Sequence, residues 1–533
     1  MVFNNFNLET KKMTNQIKKN YSTDVCFLIS SSVKKSYQNL AKKYAAIEPP
    51  TWALLLAQSC RSVGFKVSII DANAEGLSNE QVLKRIITLN PKIICFVVYG
   101  QNVNAGTANM RGAVDTNIFL KNSKNIFTTA FIGSHVQALP LETLKKEKEI
   151  DIVFTNEGVY ALRNLLKLDD FSANNLKKIK GIAFRSENEI KINLPEKVVP
   201  TERMDLDLPG YAWDLLPFKS KPLDLYRSPM WHAEYDFEKR SPYASLQTSL
   251  GCVFKCDFCM INLINRNDSD EIGVASKYSN MRFWSPEFII KEFDKLISMG
   301  VQTIRIVDEM FLLNPKYYVP LCEKLAERNK DDKLRIWAYS RIDTIKKQEI
   351  LKLVRKAGIK WLCLGIESGD KSVRLEVTKG KFEDVDVKDV IQKVHEADID
   401  IIANYIFGLP GDDKEKMKKT FDLSLDLCTA GWNTYAAMAL PGSQLYKNAI
   451  ENKYKLPDSY EGYSFHSFET QPLPTKSLKP EEILEYRDKS FKNYHTNEKF
   501  LEKIEKKFGK KAVDNIKDMT KVTLKRKIFG DTL

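Results

Sequence analysis

The run Ala244-Ser245-Leu246-Gln247-Thr248-Ser249-Leu250-Gly251-Cys252-Val253-Phe254-Lys255-Cys256-Asp257-Phe258-Cys259 leads an apolar stretch through a glycine into three cysteines. Residues 244–249 predict a strand, and Gly251 permits the turn that ends it. Three thiolates this closely spaced can wrap one metal centre, and thiolates are the ligands that iron–sulfur clusters need. A structural zinc site would need a fourth ligand, and no nearby His or Cys on this stretch offers one.

Downstream, strand patterns recur at 303–307, 334–339, 361–365, 401–407 and 434–438, with helical stretches between them. Six consecutive β–α units predict an open, six-stranded relative of the eight-stranded barrel, with the cysteine loop at its carboxyl mouth. After Tyr446 no strand pattern remains, and 480–508 reads as a helix. Upstream, short β-rich runs at 25–30, 66–70, 93–98, 128–132 and 152–154 also alternate with helical stretches, which implies a parallel, doubly wound sheet. A helix over 51–63 starts after Glu48-Pro49-Pro50 and stops at Gly64. Ligands in such sheets sit beyond the carboxyl strand ends. Those ends read Asp71-Ala72-Asn73, Tyr99-Gly100-Gln101-Asn102, Gly133-Ser134-His135 and Asn156-Glu157-Gly158.

The expected fold is therefore α/β, a doubly wound sheet followed by a partial (β/α)6 barrel and a helical extension. The expected boundaries are a polar tail over 1–20, a Rossmann-type domain over 21–170, a connector over 171–240, the barrel over 241–450 and helices over 451–533. The connector contains a hairpin over 181–193, turning at Ser186-Glu187-Asn188, and an Asp/Pro/Trp-rich run over 208–217.

With 533 residues, 43% hydrophobic and 28% charged, the chain has the composition of a multi-domain globular protein and not of a disordered one. No signal peptide or spanning stretch opens it, and most of its nine cysteines sit alone in apolar runs, which predicts a cytoplasmic protein with reduced thiols. The net charge of +13 raises nucleic acid as a partner. Residues 471–533 hold sixteen Lys and Arg against ten Asp and Glu, but the signs alternate as on a solvated helix. Nucleic acid is not expected; an acidic partner for this tail is the alternative.

A four-iron cubane held by three cysteines keeps one iron open, and an open iron can bind and reduce S-adenosylmethionine. The C-x3-C-x2-C loop of Cys252, Cys256 and Cys259 resembles that of the radical S-adenosylmethionine superfamily, over roughly 244–446. The resemblance implies a [4Fe–4S] cluster on these cysteines and an adenine near Phe258. Asp308, Glu309, Ser340, Arg341, Glu367 and Ser368 end later strands, where carboxylates could bind the ammonium or ribose and Arg341 the methionyl carboxylate. Gly408, in Ile406-Phe407-Gly408-Leu409-Pro410-Gly411-Asp412, resembles the family's adenine-side loop.

The front domain resembles the cobalamin-binding domain of the cobalamin-dependent branch of that superfamily, most clearly from Glu48-Pro49-Pro50 through Gly64 to Gly76. Asn73, Tyr99, Gly100, Gln101, Asn102, Gly133, Ser134, Glu157 and Gly158 would then line the cobalamin. The Asp-x-His-x-x-Gly loop of mutase-type cobalamin proteins is missing, and His135 is the single histidine of the first 200 residues. The resemblance implies methyl transfer to an unactivated carbon, with rearrangement or oxidation as the alternative outcome. It also implies an external electron donor such as flavodoxin or ferredoxin. Methylthiotransferases offer a rival, through Cys26, Cys60 and Cys95 as ligands of a second cluster, but these lie inside apolar strands or a helix. The substrate is a small molecule that no motif names; Tyr99, Asn102, Trp231, His232, Tyr235 and Met438 are candidate pocket residues.

Overall fold

The computed structural model describes residues 21–100, 105–186, 189–229, 240–345, 348–379, 382 and 385–533. Gln101, Asn102, Trp231, His232, Tyr235, the tail over 1–20 and the hairpin's turn residues Glu187 and Asn188 lie outside the described residues.

Fifteen strands form two large sheets and one hairpin among the described residues. The first sheet takes β1 (Thr23–Ile29), β2 (Val67–Asp71), β3 (Pro91–Val97), β4 (Thr129–Ile132), β5 (Ile152–Phe154), β6 (Ile182–Ser186) and β7 (Glu189–Ile192) in the order β2-β1-β3-β4-β5-β6-β7. Pairing is parallel from β2 through β5, and the buried runs of β1 and β3 suit a sheet covered on both faces. The hairpin β6–β7 joins antiparallel to β5 and extends this sheet, where the sequence placed it in a separate connector. Alternation alone cannot show which edge a hairpin will pair with.

The second sheet is formed by β8 (Tyr243–Leu246), β11 (Thr303–Ile306), β12 (Arg335–Arg341), β13 (Ile359–Glu367), β14 (Asp400–Phe407) and β15 (Gly431–Ala436), all parallel, in the order β15-β14-β13-β12-β11-β8. It is the expected six-stranded open barrel. Its first strand is shorter than expected: the chain leaves the sheet after Leu246 and pairs again as β9 (Ser249–Cys252), antiparallel to β10 (Asn280–Phe283). The cysteine loop thus hangs from a side hairpin. The last strand also begins and ends earlier than the expected 434–438.

Helices cover the outer face, several of them capped by side chains: Ser285 accepts from Phe288 N, and Asp413 from Lys416 N. The expected helix over 480–508 is two helices, Pro480–His495 and Glu498–Phe508, because Asn497 caps the second by accepting from Phe500 N. The first of them shields the open edge at β15: Arg487 Nε donates to Thr434 O at 3.1 Å, and Trp432 stacks on Tyr494 with centroids 5.0 Å apart. One continuous hydrophobic core runs from Val25 in β1 to Ile516 in the last long helix, through both sheets. No helix among the described residues is long and apolar enough to cross a membrane.

Candidate active site

The carboxyl ends of both sheets open on one cavity, with about 2490 Å³ of space between atoms, its mouth included. Cys252, Cys256 and Cys259 all line it. Their loop is held from three sides. Asn262 Oδ1 accepts from Cys252 N at 2.8 Å, Val377 O from Asp257 N at 2.9 Å, and Asp257 O from Leu445 N at 2.9 Å. Gly251 turns the chain into the loop with φ +85°, a conformation that costs little only for glycine. Burial pushes the Cys252 thiol up to about 11 and Cys256 to about 12, and raises Cys259 well above the ordinary range. Thiols held in their neutral form become ligands only when a metal supplies the compensating positive charge.

Among the described residues, no three His, Cys, Asp or Glu side chains converge on a position for a single ion. Thiolates on one zinc would sit about 3.8 Å apart at tetrahedral geometry. A cubane carries its ligands on separate irons and accepts a wider spread. Three thiolates on one loop are the donor chemistry of an iron–sulfur cluster.

Around the loop, Phe258, Glu309, Ser340, Arg341 and Glu367 line the same cavity. Arg341 lies over the Phe254 ring, its guanidinium carbon 3.6 Å from the centroid. Its fork, expected to be open to a carboxylate, grips Asp343: Nε donates to Oδ1 at 2.6 Å and Nη2 to Oδ2 at 2.5 Å. Glu367 ends β13 at φ +65°, an uncommon conformation for a residue with a side chain, beside a register shift after Gly365. Burial pushes both Glu309 and Glu367 up to about 7, with Arg305 and Arg341 respectively opposing it.

Other strand-end residues serve the scaffold. Asp308 is buried and accepts from Thr248 N, Thr248 Oγ1 and Ser249 Oγ, each at 2.6 Å, which fixes the departure of β9 from the barrel. Ser368 bonds Thr420, and Gly408 and Leu409 donate their N–H groups to Asp412 Oδ2 at 2.9 and 3.1 Å. Gly408 does allow a close approach, but by Ile483 of the C-terminal helix; a Cβ there would lie 2.6 Å from it. Asp308, Ser368 and Gly408 do not line the cavity.

From the first domain, Asn73, Tyr99 and Gly100 line the cavity together with Ser30, Ser36, Glu48, Trp52 and Asn109. The buried hydroxyls of Ser30, Ser36 and, from β8, Ser245 have no hydrogen-bond partner, which fits a wall built to meet a polar ligand. Gly133 and Ser134 lie inside the domain against Val98 and Gly106. Gly158 begins the helix Val159–Leu166, and Glu157 forms a buried ion pair with Arg282 of β10 at 2.7 Å. His135 is buried against Thr107 and the Tyr460 ring, away from the cavity. Cys26 packs in the core on one side of the first sheet, Cys60 and Cys95 in the core on the other, so the three do not share a site.

Sequence reasoning missed Tyr37, Glu48, Trp52, Tyr339, Tyr435, Phe465 and His466, all in the wall. Glu48 was visible as a charge beside two prolines. Its partner, Arg305, lies 257 positions away: Arg305 Nη1 donates to Glu48 Oε1 and Oε2 at 2.5 and 2.7 Å, and Nη2 to Tyr339 OH at 2.6 Å.

Residues 38–166 match the B12 binding domain and residues 246–424 the Radical SAM superfamily. An anaerobic magnesium-protoporphyrin IX monomethyl ester cyclase of Cereibacter sphaeroides is 24% identical over 468 residues, covering 85% of this chain and 68% of that one. An uncharacterized methyltransferase of Pyrococcus horikoshii is 25% identical over 423 residues, 78% of this chain and 82% of its own. The structure of the radical S-adenosylmethionine methyltransferase TsrM of Kitasatospora setae, with cobalamin and a [4Fe–4S] cluster bound, superposes with a TM-score of 0.59. That match covers 81% of this chain and 78% of the other at 15% identity, a likeness of fold.

Proposed function

The chain belongs to the radical S-adenosylmethionine superfamily and carries a B12-binding domain ahead of its barrel, and from that premise we propose that it methylates an unactivated carbon of a small molecule. The observation that carries this reading is that three cysteine thiols and the strand-end residues of the front sheet open on one cavity. When bound, the [4Fe–4S] cluster, S-adenosylmethionine and cobalamin supply reductive cleavage to a 5′-deoxyadenosyl radical and a methyl group for transfer.

This chain's residues bind, orient and shield. Cys252, Cys256 and Cys259 would hold three irons and leave the fourth open to the cosubstrate. Glu309 and Glu367, half-buried in the wall, would accept hydrogen bonds from its ammonium or ribose hydroxyls, and Phe258 would lie along its adenine. Arg341, already oriented by Asp343, places a positive charge beside Cys256 and favours its thiolate. Ser30, Ser36, Asn73, Tyr99 and Gly100 would meet the corrin. The walls contributed by both domains would shield the reacting atoms from water.

Methylation is favoured by the methyltransferase relative; the cyclase relative favours a second reading, a radical ring closure or oxidation on the same cofactors. An external electron donor such as flavodoxin or ferredoxin belongs to either reading. Anaerobic reconstitution with iron, sulfide and hydroxocobalamin tests both the cofactors and the outcome. Expected are about four irons per chain, retained cobalamin absorbance, and 5′-deoxyadenosine formed from S-adenosylmethionine on reduction. Loss of all three signals in protein with intact thiols would sink the reading. Six or more irons would point to a second cluster, and product analysis by mass separates methyl gain from ring closure.

A further inference from the structure

The cavity wall also holds a cluster of aromatic side chains. Tyr37 ends the first domain's helix Val33–Tyr37, Tyr435 stands on β15, and Phe465 and His466 follow the turn Tyr460–Tyr463 of the C-terminal segment; all four line the cavity. Their rings touch in series. Tyr37 stacks on His466 at 5.1 Å and 28°, His466 lies 4.5 Å from Phe465, and Phe465 meets Tyr435 edge-on at 4.9 Å.

The backbone beneath them is fixed. Gln38 Nε2 donates to His466 O at 2.8 Å, Ser464 Oγ to Ser36 O at 2.9 Å, and His466 N to Ser464 Oγ at 3.3 Å. Burial, with Arg487 and Arg526 nearby, holds the imidazole well below its ordinary range, so it is neutral and offers one donor and one acceptor. A wall of packed aromatic rings with one neutral polar group among them suits a planar ring, which orders with little loss of flexibility.

The charges around the row narrow the class. Glu309 and Glu367 bring two carboxylates to the wall besides Glu48, which Arg305 neutralises, and Arg341 is the one Lys or Arg among its described residues. Arg341 is gripped by Asp343, and Arg305, behind the wall, by Glu48. An anion here would be desolvated next to carboxylates, with the cations already paired. We propose that Tyr37, Tyr435, Phe465 and His466 form the substrate subsite, and that it takes a planar ring compound bearing no negative charge, neutral or amine. This deepens the function proposed above and rests on it.

Equilibrium dialysis of the reconstituted, cobalamin-loaded protein against indole, tryptamine and indole-3-acetate compares one ring in three charge states. Indole and tryptamine should saturate a single site, with indole-3-acetate at least tenfold weaker. His466→Ala and Phe465→Ala should each weaken indole at least tenfold, with iron, cobalamin and circular dichroism unchanged, while His466→Phe, which keeps the stack on Tyr37, retains most binding. Equal affinity for indole-3-acetate, no binding of any probe, or an equal loss in His466→Phe and His466→Ala would overturn the proposal. So would loss of cobalamin from the alanine variants, which would give the rings to the corrin. Failure of the cofactor reading registers earlier, as missing iron or cobalamin, and binding is measured without turnover, so the two failures are separable.

Discussion

Gly251 shows how far one position governs the site. An added Cβ would lie 2.1 Å from Asn265 Nδ2 and 2.4 Å from Asn280 O, at a φ that L side chains rarely adopt. Gly251→Ala should shift β9 against β10 and misplace Cys252, while the barrel, which pairs without β9, keeps its fold. Reconstituted iron per chain should fall by at least about half with circular dichroism preserved; full iron would show that the hairpin adapts. Residue type was legible here, since a glycine between a strand and a cysteine loop announces a turn. Residue role was less so. Asp308 and Glu309 are adjacent and look alike in sequence, yet Asp308 turns inward to three donors from Thr248 and Ser249 and Glu309 lines the cavity. Only the direction of the chain after β11 separates them.

At the scale of elements, alternation of apolar and polar runs marked nearly every strand of both sheets, because parallel strands buried on both faces are short apolar runs between helices. It could not mark the break between Leu246 and Ser249, where no residue type signals departure from a sheet. The loop from Gly408 to Asp412 is similar: its glycines and proline read as a ligand-facing turn, and instead Asp412 closes the loop on itself. Burial, opposed by the two backbone donors, pushes Asp412 up to about 7. Its folded form therefore binds more protons than the unfolded chain between the ordinary aspartate range and about 7, and stability falls as pH rises through that window. Asp412→Asn keeps an acceptor for both N–H groups without the charge. Melting temperatures of the two proteins should nearly coincide at acid pH. The variant should then become the more stable of the two as pH rises toward about 7, with a constant gap above that point. A gap that is the same at both ends of the range would show that this carboxyl is not perturbed.

At the scale of the whole molecule, two buried ion pairs bind the front domain to the rest: Glu48 with Arg305 of β11, and Glu157 with Arg282 of β10. The C-terminal segment adds a strap, with Tyr460 OH on Glu147 at 2.8 Å and Gln38 Nε2 on His466 O. Removing one partner leaves a buried charge alone, so Glu48→Gln and Arg305→Met should each cost about 3–5 kcal/mol, and the double variant clearly less than their sum. Denaturant unfolding checks this; additive losses would mean that the pair is not coupled. The sequence by itself determined the two α/β units, their order and the three clustered thiols, because periodicity and ligand spacing are local properties of the chain. Tertiary structure alone decided which side chains share the cavity. Glu48 meets Arg305, and Tyr37 meets His466, only after the domains dock, and contacts across hundreds of residues depend on packing that no local pattern encodes.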